Sequence, residues 1–202
     1  METFDFKGDR NKLLIYELLK TWNQLLTNYE KRIRDDLPYF YIERTNIGLL
    51  SSAAIKMGAL TLEEYSAEKG REARKRQGRA DLWIEYKGYT FDIEAKQAWI
   101  ALDSTRIRQK VVSLLKDAVK DSKKLTEKGD RSVGIGFLVP YLALSKKADF
   151  EHFQERVLDI ASYDGDFAAV HFSDEKIWGR KSLVFDNAFY PGIAVIGRYV
   201  KN

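Results

Sequence analysis

The chain has 202 residues, 45% hydrophobic and 13% aromatic, enough to bury the core of one domain. Thirty-four Lys and Arg against 30 Asp and Glu leave a formal net charge of +4, which excludes a highly charged disordered tail. No apolar run reaches the roughly 18 to 20 residues that cross a bilayer, and the opening METFDFKGDR lacks the basic-then-apolar pattern of a secretory leader. A cytoplasmic protein without membrane contact is therefore expected.

The absence of Cys removes disulfides, thiolate zinc sites, iron–sulfur clusters and thiol nucleophiles together. His152 and His171 are the two histidines. Nothing near either resembles a nucleophile elbow, and a lone His on a strand is read as structural. Metal chemistry here would use oxygen ligands, which suit magnesium, manganese or calcium.

The first predicted element is an amphipathic helix over 11–33, with Leu14, Leu18, Trp22, Leu25, Tyr29 and Ile33 at helical spacing. A second runs from Glu43 to about Met57 through Ile47, Leu50 and Ala54, with Gly58 placed to end it. Thr61-Leu62-Glu63-Glu64 reads as a capping box opening a third, short helix that closes near Gly70. Residues 71–79 (REARKRQGR) then carry five positive charges and one negative.

Beyond Gly78 the period switches from 3.6 to 2. Leu82 and Ile84, then Phe91 and Ile93, alternate with polar residues about Lys87-Gly88, predicting a hairpin with a two-residue turn. That register sets Ile84 against Phe91, Leu82 against Ile93 and Asp81 against Glu94. A three-residue loop would set Leu82 against Asp92 and mix apolar with charged side chains on one face. A helix over 104–128 follows, its first turn expected near the hairpin acids, and its basic residues on the solvent side. The rest reads as a strand over 132–139 bounded by Pro140, a helix over 147–160, and strands at 167–172 and 192–200. The expected fold class is α/β around a mixed central sheet, in one domain. Residues 1–37 form an N-terminal helical addition, 43–139 the core, and 140–202 C-terminal additions.

In this register Asp81, Asp92, Glu94 and Lys96 share a face. Two carboxylates directly across a hairpin repel unless a positive charge sits between them. A divalent cation held by Asp81, Glu94 and the backbone carbonyl of Ala95 would meet that need, and Lys96 would reach a bound water or phosphate oxygen. A solvated outer face of mixed charge would explain the same residues. Acid-any-Lys alone carries little information, since it occurs five times, at Asp5, Glu85, Glu94, Asp121 and Asp174.

Gly78-Arg79-Ala80-Asp81, the hairpin, and Asp92-Ile93-Glu94-Ala95-Lys96-Gln97 resemble the core of the PD-(D/E)xK nuclease superfamily, the restriction-endonuclease-like fold, over roughly 100 of the 202 residues. Ala80 stands where the name-giving proline would be. The resemblance implies a helix, three strands, a helix and a strand, with Asp81 and Glu94 as metal ligands for Mg²⁺ or Mn²⁺ and Lys96 as the catalytic lysine. The family often adds an acid from the preceding helix. Glu43 is the candidate, ahead of Glu63 and Glu64, although a favourable charge at a helix N-terminus explains Glu43 equally well.

Asp92 would be a fourth acid or a partner of Arg79. Gln97 would leave the opposite face. Arg71, Arg74, Lys75, Arg76 and Arg79 would contact a phosphate backbone. Trp83 falls on the acidic face, and Trp22, Trp99 and Trp178 are assigned to packing. The expected function is metal-dependent hydrolysis of phosphodiester bonds, in DNA by preference, with a homodimer suiting double-strand cutting. The rival reading is a catalytically inactive nucleic-acid-binding or protein-interaction module on the same fold.

Overall fold

The computed structural model describes residues 4–8, 13–33, 35–70, 76–125, 130–145, 150–161, 165–174 and 183–200. The elements in chain order are β1 (Phe4–Gly8), α1 (Leu13–Arg32), a 3₁₀ turn at Pro38–Phe40, α2 (Glu43–Lys56), β2 (Leu60–Lys69), β3 (Arg76–Tyr86) and β4 (Tyr89–Ala101). They continue with α3 (Ile107–Ser122), β5 (Arg131–Ala143), α4 (Phe150–Ala161), β6 (Phe167–Phe172), the short β7 (Val184–Phe185) and β8 (Ala188–Phe189), and β9 (Gly192–Tyr199). The main sheet has the order β1-β6-β9-β5-β4-β3-β2, with β8 and β7 added beside the end of β5. Among the described residues only β4 and β5 pair in parallel, joined by the α3 crossover; the other pairs are antiparallel. The fold is thus mixed α/β. No helix among the described residues is long and apolar enough to cross a membrane.

The hairpin register matches the alternation as far as Leu82↔Ile93, where the ladder ends, so the expected Asp81–Glu94 pair is not formed. Tyr86 faces Tyr89, Ile84 faces Phe91 and Leu82 faces Ile93. Lys87 and Gly88 take φ of 52° and 81°, the two left-handed residues that a tight two-residue turn requires. Leu82, Ile84, Phe91 and Ile93 are all buried in one core with Leu50 of α2, Trp22 of α1 and Ile135 of β5.

Four expectations need correction. The segment after Gly58 is not a helix but β2, an edge strand paired with β3 from Leu60↔Glu85 to Lys69↔Arg76. Its capping-box letters describe only local preference, and hydrogen bonding to a neighbouring strand overrides them. Pro140 lies inside β5 instead of bounding it. The β9 ladder ends at Leu138 and the β8 ladder begins at Leu142, so its missing N–H falls in the gap between them.

α3 stops at Ser122, six residues before Lys128, because the chain turns into contact with β2. Leu125 bridges to Lys69, and Gly70 N donates to Lys124 O. The buried stripe of α1 runs through Ile15, Leu18, Leu19, Trp22 and Leu26, while Ile33 is 44% exposed. The stripe is rotated by polar partners: buried Asn23 Oδ1 and Glu30 Oε1 lie 2.6 Å and 3.1 Å from the two ring nitrogens of His171. His171 is fully buried, which fits the structural reading; only the backbone of His152 is described.

Candidate functional site

Asp81 sits where β3 lets go of both neighbours. Toward β4 the ladder ends at Leu82↔Ile93. Toward β2 it runs through Glu63↔Leu82, omits the pair that would join Glu64 to Asp81, and resumes at Tyr65↔Ala80. Glu64 takes a φ of 45° at the break, a left-handed conformation uncommon for a side chain of this kind and of the sort that clusters at functional positions. Had the β3–β4 ladder continued, Ala95 would pair with Ala80. Its N–H instead donates to Asp81 Oδ2 at 2.7 Å, so a carboxylate satisfies the amide that parting strands would leave bare.

Around this opening the charges alternate. Glu94 is buried, with its side chain 3% exposed, and Oε1 lies 2.6 Å from Lys69 Nζ. Burial is the main reason its carboxyl is pushed up from 4.5 to about 7; Asp81 adds to the rise, while Lys69 and Lys96 oppose it. Asp81 thus lies within electrostatic reach of Glu94. Glu43, at the first turn of α2, is also raised by burial and by Asp81, against the pull of Lys96 and of a hydrogen bond from the Gln97 backbone. Asp81 and Lys96 are therefore within electrostatic range of both Glu43 and Glu94.

Lys96 Nζ is 3.1 Å from Asp121 Oδ2, in the last turn of α3. Burial works against its ammonium, but Asp121, Glu43 and Asp81 outweigh burial and raise its pKa. A lysine so surrounded stays protonated at neutral pH, which suits it to stabilise negative charge and not to accept a proton. The last turn of α3 approaches the acids, contrary to the expected first turn, because glycines in β5 admit the helix there. A Cβ on Gly134, which pairs with Glu94, would fall 2.5 Å from the Val119 backbone nitrogen.

Gln97 does leave the opposite face, where it anchors α2. Its Oε1 accepts from Asn46 Nδ2 at 2.7 Å and its Nε2 donates to Tyr41 O. These contacts tie the start of α2 to β4. Asp92 is buried and accepts from Tyr65 OH, and Arg79 pairs with Glu64 at 2.7 Å, so of the two readings of Asp92 the Arg79 bridge is not formed. Glu63 lies on β2 and Glu64 is held by Arg44 and Arg79, which leaves Glu43 as the helix acid beside Asp81. Trp83 is half-buried, Trp22 is fully buried, and Trp99 is 44% exposed instead of packed. Arg71, Arg74, Lys75 and Trp178 lie outside the described residues, and of Arg76 only the backbone is described.

Sequence reasoning missed Lys69 and Asp121. Asp121 had one signal, the Asp121-x-x-Lys124 spacing that joins the two on one helical turn at 2.5 Å. Lys69 had none. A third feature is a concavity of about 510 Å³ lined by Gly70, Lys116, Val119, Lys120, Lys123, Lys124 and Arg198, with no carboxylate among the described lining residues. It adjoins the acids through Gly70, next to Lys69, and through Lys124, which shares Asp121 with Lys96.

No three His, Asp or Glu side chains among the described residues converge at metal-ligand spacing. Magnesium, however, is held by one or two carboxylates with water and substrate oxygens completing its shell. The donor set of Asp81, Glu94 and the Ala95 carbonyl fits that demand. Buried Glu94 Oε1 is engaged by Lys69 Nζ at 2.6 Å, so a cation at this oxygen would take the position that the ammonium holds. Comparison with protein-family models, curated proteins and solved structures gives no match.

Proposed function

We propose that the chain is a Mg²⁺- or Mn²⁺-dependent nuclease that hydrolyses phosphodiester bonds, in DNA by preference, on a restriction-endonuclease-like core. The observation that carries this reading is the end of the β3–β4 ladder and the one-pair gap in the β2–β3 ladder at Asp81, within electrostatic range of Glu94, Glu43 and Lys96. The element order from α2 to β5, helix, three strands, helix, strand, supports the same reading, with β2 as the third strand.

Asp81, Glu94 and the Ala95 carbonyl would hold the ion. When bound, a divalent cation polarises the phosphate and makes the attacking water more acidic. The chain's own residues supply the rest. Lys96 would set a fixed positive charge near the non-bridging oxygens, which gain negative charge as the water oxygen bonds to phosphorus; the bridging P–O bond then breaks and the departing sugar oxygen takes up a proton from solvent, as the water gives one up. Asp121 holds that ammonium in position, and Gln97 with Asn46 fixes the α2 turn that carries Glu43. The lysine-lined concavity supplies positive potential next to the opening, as a polyanionic substrate requires.

The test incubates purified protein with plasmid, linear duplex DNA, single-stranded DNA and RNA, each with Mg²⁺ or Mn²⁺, beside Asp81→Ala and Lys96→Ala. Cleavage by the wild type, lost in both variants, is expected. Cleavage surviving both substitutions would overturn the site. Binding without cleavage of any substrate would establish the inactive binding module instead.

A further inference from the structure

Lys69 is the residue at this opening that the nuclease reading does not use. It comes from the end of β2, its side chain is 16% exposed, and its ammonium lies 2.6 Å from Glu94 Oε1. Its path is built into the sheet. The stem crosses over Gly78 of β3, where a Cβ would stand 2.9 Å from Lys69 Cδ and 3.2 Å from Cγ, so glycine leaves the channel through which the lysine reaches Glu94. The backbone at this point is pinned as well, with Lys69 paired to Arg76 and bridged to Leu125.

We propose that Lys69 is an internal counter-cation that occupies the cation position beside Glu94 in the metal-free protein and competes with a divalent ion for that carboxylate. The inference rests on the assignment of Asp81 and Glu94 as ligands. Two neighbouring carboxylates without a cation repel, and a buried one lacks water to screen it. Lys69 supplies the missing charge while the site is empty, and it must release Glu94 Oε1 on loading. Binding affinity is then reduced by the fraction of molecules in which the lysine holds Glu94. The arrangement makes metal occupancy conditional on displacing a residue of β2, the edge strand next to the lysine-lined concavity.

The experiment measures Mn²⁺ binding in the absence of nucleic acid, by calorimetry and by the electron paramagnetic resonance of free Mn²⁺, for wild type, Lys69→Ala, Lys69→Met and Gly78→Ala. Circular dichroism confirms that each variant is folded. Both Lys69 variants are expected to bind Mn²⁺ on the order of tenfold more tightly than wild type. Gly78→Ala, which crowds the stem without removing the charge, shifts affinity the same way by less. Unchanged or weaker binding in folded Lys69 variants, with wild type still binding, overturns the competition and leaves the ligand assignment standing. Failure of every folded protein to bind Mn²⁺ overturns the ligand assignment itself.

Discussion

Replacing Glu94 by Gln removes a charge that the fold holds at a cost, and the cost depends on pH. The folded carboxyl titrates near 7 against 4.5 for an unperturbed glutamate, and burial is the main cause. Between these values folding takes up a proton, so stability is fully present below about pH 4.5 and is lost progressively as pH rises through about 7. At about 1.4 kcal/mol per pH unit, the folded state above pH 7 carries a penalty of about 3 kcal/mol from this group.

Part of that penalty is already present at pH 5, so the change between pH 5 and pH 8 is about 2 to 3 kcal/mol. The Lys69 ion pair forms only when Glu94 is ionised, at pH 8 and not at pH 5, and its favourable effect is already contained in the value of about 7, because Lys69 opposes the rise. Urea unfolding of wild type and Glu94→Gln in EDTA, at pH 5 and pH 8, measures the difference of differences. The variant is expected to gain about 2 to 3 kcal/mol on wild type between the two pH values. Parallel pH curves for the two proteins would refute the claim that Glu94 is held charged against its burial.

Two further outcomes follow from the same geometry. Lys120→Glu with Lys123→Glu reverses two charges of the concavity and should weaken duplex binding in EDTA by about tenfold or more while lowering the salt slope by about 2, read by fluorescence anisotropy across a salt series; an unchanged slope would remove the concavity from the binding surface. Gly134→Ala pushes a methyl into the Val119 backbone and should cost about 1 to 3 kcal/mol in chemical denaturation, whereas a neutral result would show that α3 moves away freely.

The amino-acid sequence by itself determined what depends on neighbours a few residues apart. The hairpin register follows from alternation across Lys87-Gly88, because a slip of one residue would set Leu82 against Asp92 and move the apolar set off the core. The limits of α2 follow from its apolar spacing and from Gly58, whose φ of 89° ends the helix. The acids of the hairpin were legible for the same reason.

Tertiary structure decided everything that rests on distant partners. Residues Leu60–Lys69 carry helix-starting letters, yet they become a strand because β3 offers a full ladder of hydrogen bonds. Asp121 meets Lys96 only because Gly134 and Gly136 let α3 lie close to β5. Lys69 meets Glu94 only because Gly78 leaves room for its stem. Periodicity records which face of an element is apolar, but no periodicity records which charge from another element crosses to meet it. That meeting is fixed by close backbone approach, and in this protein three glycines set it.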